Sequence, residues 1–348
     1  MELILAVLIV VFVLAFVFSN GVNDSAPVVA ALISSGAMGP RQALLAAAFF
    51  EFSGAYLLGT AVAKMLGTGL VNASSISPIT ILMAVLSATL WNLLALYRAV
   101  PTSSSHALLG GLVGASVASG GLQSVWWFNL FTLYQVLIIA PIVGFGLAFL
   151  LTRLMLVVLQ RVPPTLANRQ LLRLQPWAAF GLAMSHGSIS AQAGMGLITM
   201  GLVLLHMQAP AELHSLYTPS TDGRFLVPDW VVWICALAIA SGMATGGWRI
   251  IRTLGGGLYR IRPIHGFTSQ LGSAGIVYLS AVTGFPVSTT QIASSSIIGA
   301  GAGQRMNAVR WTPVRHMVVA WVITIPCAAV LSALLTTVVN ELMKRLWF

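Results

Sequence analysis

Apolar runs long enough to cross a bilayer follow one another along this chain with almost no charge inside them. A spanning helix needs about 20 apolar residues. Runs of that order fit near residues 3–35, 42–63, 78–98, 127–152, 176–205, 230–248, 267–284 and 316–340, with shorter pieces at 101–119 and 286–303. Only 7% of the 348 residues are charged, against about 25% in a soluble domain. A soluble chain this poor in charge could not cover its own surface. That excludes a cytosolic enzyme, a disordered chain and an ordinary nucleic-acid binder. The net charge of +10 comes from basic residues spread thinly between the apolar runs, so it reads as the positive-inside bias of a membrane protein. Leu3–Phe18 leads into Ser19-Asn20-Gly21 without a cleavage pattern and is expected to remain as a first span. Cys235 and Cys327 both lie in apolar runs and are expected to be buried small hydrophobes.

Two landmarks each occur twice. Ser19-Asn20-Gly21-Val22-Asn23-Asp24-Ser25 interrupts the first apolar run, and Ser185-His186-Gly187-Ser188-Ile189-Ser190-Ala191-Gln192 interrupts a later one, 166 residues on. Pro101-Thr102-Ser103-Ser104-Ser105-His106 is answered 185 residues later by Pro286-Val287-Ser288-Thr289-Thr290-Gln291. The chain therefore divides into a first transmembrane repeat at 1–152, a cytoplasmic linker at 153–175 and a second transmembrane repeat at 176–348. The linker carries Arg153, Arg161, Arg169 and Arg173. With it inside the cell, the loops 249–262 and 304–315 and most other basic residues also fall inside. The loop 206–229, with Glu212, Asp222 and Asp229, then falls outside. The two copies enter the membrane from opposite sides. The predicted fold is an all-α membrane protein: a polytopic helical bundle of two inverted repeats with broken helices and half-helices, a plan common among secondary transporters.

Asp24 and Glu51 are the only carboxylates within predicted spans. An ionisable residue there is costly and is a functional candidate by default. Asn20, Asn23 and Asp24 offer hard oxygens where the helix is expected to break. Unwound carbonyls there could complete a sodium site on Asn23 and Asp24, Asp24 could carry a proton, or it could cap the second half-helix. Glu51 reads either as a coupling residue or as a buried brace. The paired Pro-Ser/Thr segments place hydroxyls at helix N-termini, where free N–H groups and partial positive charge favour an anion. Thr102, Ser103, Ser104, Ser105, Ser288, Thr289 and Thr290 are thus the candidate anion ligands. His106 and His186 are open to two readings, proton relay or hydrogen-bonded helix residue. Glycines such as Gly110, Gly111 and Gly114 suit close helix packing, and Trp126, Trp127 and Trp230 suit the membrane interfaces.

These residues together resemble the inorganic phosphate transporters of the Pit type. Gly21-Val22-Asn23-Asp24 resembles the Gly-Ala-Asn-Asp motif that this family carries in each half. His186-Gly187 with Gln192-Ala193-Gly194-Met195-Gly196, Gly247-Trp248-Arg249 and Phe285-Pro286-Val287-Ser288-Thr289-Thr290 resemble its second half. The resemblance implies a multi-pass protein of the cell's inner (plasma) membrane that carries phosphate with sodium or protons. It implies no cofactor beyond that coupling ion, no catalysis, an anion held by the two Ser/Thr segments, and a homodimer. Two departures stand out. The second motif reads Ile189-Ser190 where Asn-Asp is expected, which puts Ser190 in the coupling set in place of a carboxylate. Gln270 stands where family members often have Glu. Fewer coupled cations, or protons in place of sodium, would follow. A sulfate or other tetrahedral oxyanion permease on the same plan is the alternative. A channel would need a continuous polar stripe, and an intramembrane enzyme a nucleophile and base in one span; neither pattern is visible in the sequence.

Overall fold

A computed structural model describes residues 2–72, 75–209, 213–220 and 224–347, the side chains of the last two excepted. Glu212 and Asp222 of the expected outer loop lie outside the described residues. Twelve α-helices make up the fold among the described residues: α1 (Glu2–Ser34), α2 (Pro40–Leu57), α3 (Ala61–Thr68), α4 (Pro78–Arg98), α5 (Ser104–Gly120), α6 (Trp127–Val158), α7 (Pro164–Gln208), α8 (Asp229–Thr245), α9 (Trp248–Gly256), α10 (Pro263–Thr283), α11 (Thr289–Gln304) and α12 (Trp311–Trp347). Among the described residues the only β pairing is an isolated bridge between Val71 and Val125. Five helices among the described residues are long and apolar enough to cross a membrane, or seven if each bent pair is one span. Burial runs opposite to that of a soluble protein. Asp24, Glu51 and His186 are buried, while Phe128 and Ile142 stand out at 82% and 66% exposure. Lipid favours such an arrangement and water does not.

Two boundaries differ from expectation. The stretch 153–175 is helical except for 159–163, because α6 continues to Val158 and α7 starts at Pro164. Pro164 suits a first helical turn, where its missing N–H is not needed. The two polar motifs also do not interrupt their helices: α1 and α7 run straight through Asn23-Asp24 and Ser188-Ile189-Ser190. Hydroxyls lean back on the helix there, Ser19 donating to the Phe16 carbonyl at 2.8 Å, Ser25 to Val22 at 2.7 Å and Ser185 to Gly181 at 2.9 Å. The backbone at both motifs stays helical, although Pro27 has no N–H to give the Asn23 carbonyl. The broken helices lie elsewhere. α2 and α3 meet at 69°, and α8 and α9 at 63°. Gly59 (φ +83°) sits in the first break and Gly246 (φ +73°) in the second, a left-handed backbone that glycine adopts without steric cost.

α1 and α7 form the centre, with the most apolar stretch of α7 89% buried against 22% for that of α12. Glycine lets their neighbours approach. A Cβ on Gly21 would strike the Ile239 backbone, and one on Gly187 the Glu51 backbone. A Cβ on Gly54 would strike the Met184 carbonyl, and one on Gly242 the Phe18 carbonyl. Gly21 and Gly187 are 166 residues apart, as are Phe18 and Met184. Helix packing exchanges partners in the same way. α1 lies on α8 while α7 lies on α2, and α6 packs on α11 while α12 packs on α5. Gly110 and Gly114 pass close to the α12 backbone, and Gly111 to that of α4, as their small size suggests. Cys235 is buried as expected; Cys327 is exposed on α12 among other outward apolar side chains.

Candidate functional site

Asp24, Glu51 and His186 converge from α1, α2 and α7. His186 on α7 sets Nε2 3.1 Å from Asp24 Oδ2 of α1, and its Nδ1 meets Glu51 Oε1 of α2. Ser190, one turn further along α7, places its hydroxyl 2.8 Å from His186 Nε2. The other oxygen of Asp24 accepts the hydroxyl of Thr290 at the start of α11. All five side chains are buried. An ionised carboxylate only accepts hydrogen bonds. The ring can donate from Nδ1 to Glu51, while Nε2 either accepts the Ser190 hydroxyl or donates to Asp24, according to whether the ring carries one hydrogen or two.

The Pro-Ser/Thr segments do start helices. Ser103 caps α5, accepting the His106 N–H at 3.1 Å, and Ser288 caps α11, accepting the Gln291 N–H at 3.3 Å. The capping satisfies N–H groups that a helix end otherwise leaves free. It also occupies two of the seven expected anion ligands, and Thr290 is turned to Asp24. Ser105 donates to the Val287 carbonyl at 3.3 Å, tying the two segments together. The hydroxyls of Thr102 and Ser104 are buried without a partner, and Thr289 of the other segment is buried too. Between the segments lies a cavity of about 10 Å³ lined by Asn20, Ser105, Ser190 and Pro286 with apolar neighbours. All four sequence landmarks meet there. The space suits about one water molecule and no tetrahedral oxyanion. The conformation is closed.

The structure divides the expected coupling set. Asp24, Glu51 and Ser190 join the His186 cluster. Asn20 lines the cavity with Ser105 and Ser190, its Oδ1 without a hydrogen-bond partner. Asn23 turns to α4, its amide donating to the Asn92 carbonyl at 3.1 Å. The reason is geometric: on an intact helix adjacent residues point about 100° apart, so Asn23 and Asp24 do not share a face. Sequence reasoning weighed His186 as a relay but left it out of the coupling set; its place at Asn20's position in the repeat was the available signal. It did not foresee two glutamines. Gln192 accepts the free Val62 N–H at the start of α3 at 2.7 Å and donates to Ser188 at 2.7 Å. Gln291 meets His106, its counterpart in the other segment, with Nε2 3.2 Å from Nδ1. Gln270 braces α1, donating to the Val28 carbonyl at 2.9 Å and accepting from Gln175 at 3.0 Å.

A sequence model of the phosphate transporter family matches residues 20–173 and 160–332. The chain belongs to that family. It is 37% identical over 340 residues to a probable low-affinity inorganic phosphate transporter of Bacillus subtilis (strain 168), covering 97% of this chain and 98% of the relative. It is 39% identical over 321 residues to one of Rhizobium meliloti (strain 1021), covering 92% of each. The fold is that of a solved sodium-dependent phosphate transporter, with a TM-score of 0.82 at 19% identity over 97% of this chain and 99% of that one. These relatives are transporters, not enzymes, and the apolar helices make this member of the family a multi-pass membrane protein. Within the family's plan, the cluster on His186 is where this chain's own chemistry concentrates.

Proposed function

We propose that the chain carries inorganic phosphate across the cell's inner (plasma) membrane together with protons, by alternating access between two inverted repeats, 1–152 and 176–348. Phosphate as cargo rests on the relatives, and the exchange of helix partners between the halves supports the repeat. The observation that carries the choice of ion is His186, held by Asp24 on one nitrogen and Glu51 on the other. An imidazole there fills the space between the carboxylates that a bound cation would need, and it can itself carry the positive charge.

Two hydroxyls connect this cluster to the anion. Thr290 donates to Asp24 from the N-terminus of α11, and Ser190 touches His186 while lining the central cavity. An arriving phosphate competes for the Thr290 hydrogen. Asp24 then loses a donor, and the proton that replaces it travels with the anion. Charge gives the same direction, because crossing the membrane with unbalanced charge is costly and one proton offsets one charge of the load. In the closed conformation the cavity is too small for phosphate, so the two half-helix ends must part for binding.

The test is labelled phosphate uptake into proteoliposomes. An inside-alkaline pH gradient should drive accumulation with choline replacing sodium throughout, and excess sulfate should not suppress it. Uptake that needs sodium and ignores the pH gradient would overturn proton coupling; suppression by sulfate would overturn the choice of anion.

A further inference from the structure

α6 and α12 leave a crevice between them, floored by the starts of α5 and α11. It holds about 400 Å³, and a second hollow of about 330 Å³ continues it, the two sharing Tyr134, Leu137 and Ile325. Along α6 it extends from Trp127 to Phe145, and along α12 in the opposite sense from Ile325 to Trp311. The α6 stretch is about 27 Å long at 1.5 Å per residue, close to the roughly 30 Å of a bilayer's hydrocarbon core. Trp127 and Trp311 mark its two ends, 48% and 46% exposed, as tryptophans do at membrane interfaces. The rim residues Ile142 and Val322 are apolar and exposed. The crevice opens toward acyl chains.

Its floor is polar. His106 and Gln291 lie there, 5% and 2% exposed, and His106 Nε2 and Gln291 Oε1 have no partner. His106 Nδ1 lies 3.2 Å from the Gln291 amide and 3.4 Å from the Trp321 carbonyl, which can only accept. Nδ1 therefore carries the ring hydrogen, and the amide turns its oxygen toward it, which leaves Nε2 as acceptor and the amide N–H as donor. The pair presents one donor beside one acceptor. A bare alkyl chain would satisfy neither. A neutral carboxylic acid carries the complementary acceptor and donor on one carbon.

We propose that this crevice binds a long-chain carboxylic acid in its neutral form, the alkyl chain lying along α6 and α12 and the carboxyl on the His106–Gln291 pair. The occupant would enter from the bilayer. Its head would sit one residue from Ser105 and from Thr290, and its chain between the two outer helices that support α5 and α11.

The experiment uses the full chain in liposomes with palmitic acid bearing a diazirine on its chain, photolysis, and peptide mapping. Labelling should concentrate on 134–145 and 318–325. Excess palmitic acid should compete it away, and methyl palmitate, which has no donor, should compete about tenfold less well, the worth of one hydrogen bond. His106→Leu should erase that difference between acid and ester. Val322→Trp, on the exposed rim, should reduce labelling without touching the floor. The proposal fails if label is as dense on lipid-facing Leu150 and Val330 as in the crevice, or if ester and acid compete equally in the unaltered chain. It fails too if the crevice is protected and α6 cross-links instead to α6 of a second copy.

Discussion

Replacing His186 and Glu51 together by glutamine tests the coupling directly. Removing His186 alone would leave Glu51 buried at 0% exposure without its partner, and breaking a buried pair from one side costs about 3–5 kcal/mol. Such a variant could fail by unfolding. His186→Gln with Glu51→Gln keeps volume and hydrogen-bonding capacity but removes both the imidazole and one carboxylate. Asp24 and Thr290 stay as they are. On the proposed coupling, the one imidazole between the two carboxylates carries one proton per cycle. A gradient of about two pH units is then worth about 2.7 kcal/mol, enough for about a hundredfold accumulation of phosphate. The double variant should lose that accumulation and fall to a ratio near one. Exchange of labelled for unlabelled phosphate at equal pH should persist, because the Ser/Thr segments are intact. Both are read on the same proteoliposomes, with thermal unfolding of the detergent-solubilised chain as control. A folded double variant that still concentrates phosphate about a hundredfold in a pH gradient would refute the part given to His186 and Glu51, since Asp24 alone would then carry the proton.

Three further outcomes follow from the packing. Ser190→Asp, one turn from His186 and 2.8 Å from it in the unaltered chain, adds a third carboxylate to the buried cluster; uptake should become stimulated by sodium, and an unchanged sodium response would count against the charge argument. Gly54→Ala drives a methyl group into the Met184 carbonyl and should destabilise the protein by about 1–3 kcal/mol, seen as a lower unfolding temperature. Asn23→Ala removes a bond to the Asn92 carbonyl and should cost about 1 kcal/mol while leaving pH-driven uptake intact; loss of coupling without loss of stability would put Asn23 back among the coupling residues.

Much of the architecture was legible because lipid leaves so few solutions. Apolar runs with rare charge had to be spanning helices, and Pro101 and Pro286 followed by hydroxyls had to begin helices, which Ser103 and Ser288 cap. Local rules misled where packing overrode them. Asn, Gly and Pro within the first span suggest an interruption, yet Gly21 and Gly187 are there to let α8 and α2 approach. The helices bend instead beside Gly59 and Gly246, which no motif announces. The division of the hydroxyls was also hidden. A cap, a cross-tie and an anion ligand require the same residue types, and only three-dimensional placement separates Ser103 from Ser105 and Thr290. Least legible was the meeting of His186 with Glu51 and Asp24, which lie 135 and 162 residues away.

That meeting also explains the altered second motif. In the repeat, His186 stands where Asn20 does and Ser190 where Asp24 does. Taken alone, Ser190 is a lost carboxylate and a weakened cation site. Beside His186 it has a different meaning. Asp24 and Glu51 already bring two carboxyl groups to one imidazole. A carboxylate at 190 would bring a third into a site with 0–6% side-chain exposure at its three titratable groups, where an unpaired charge is very costly. A serine there adds no charge. It can accept from His186 Nε2–H and turn its own hydrogen toward the cavity it shares with Asn20 and Ser105. On the proposed coupling the imidazole and the serine are complementary parts of one arrangement: the first carries the proton between the two carboxylates, and the second links it to the cavity where the anion would bind.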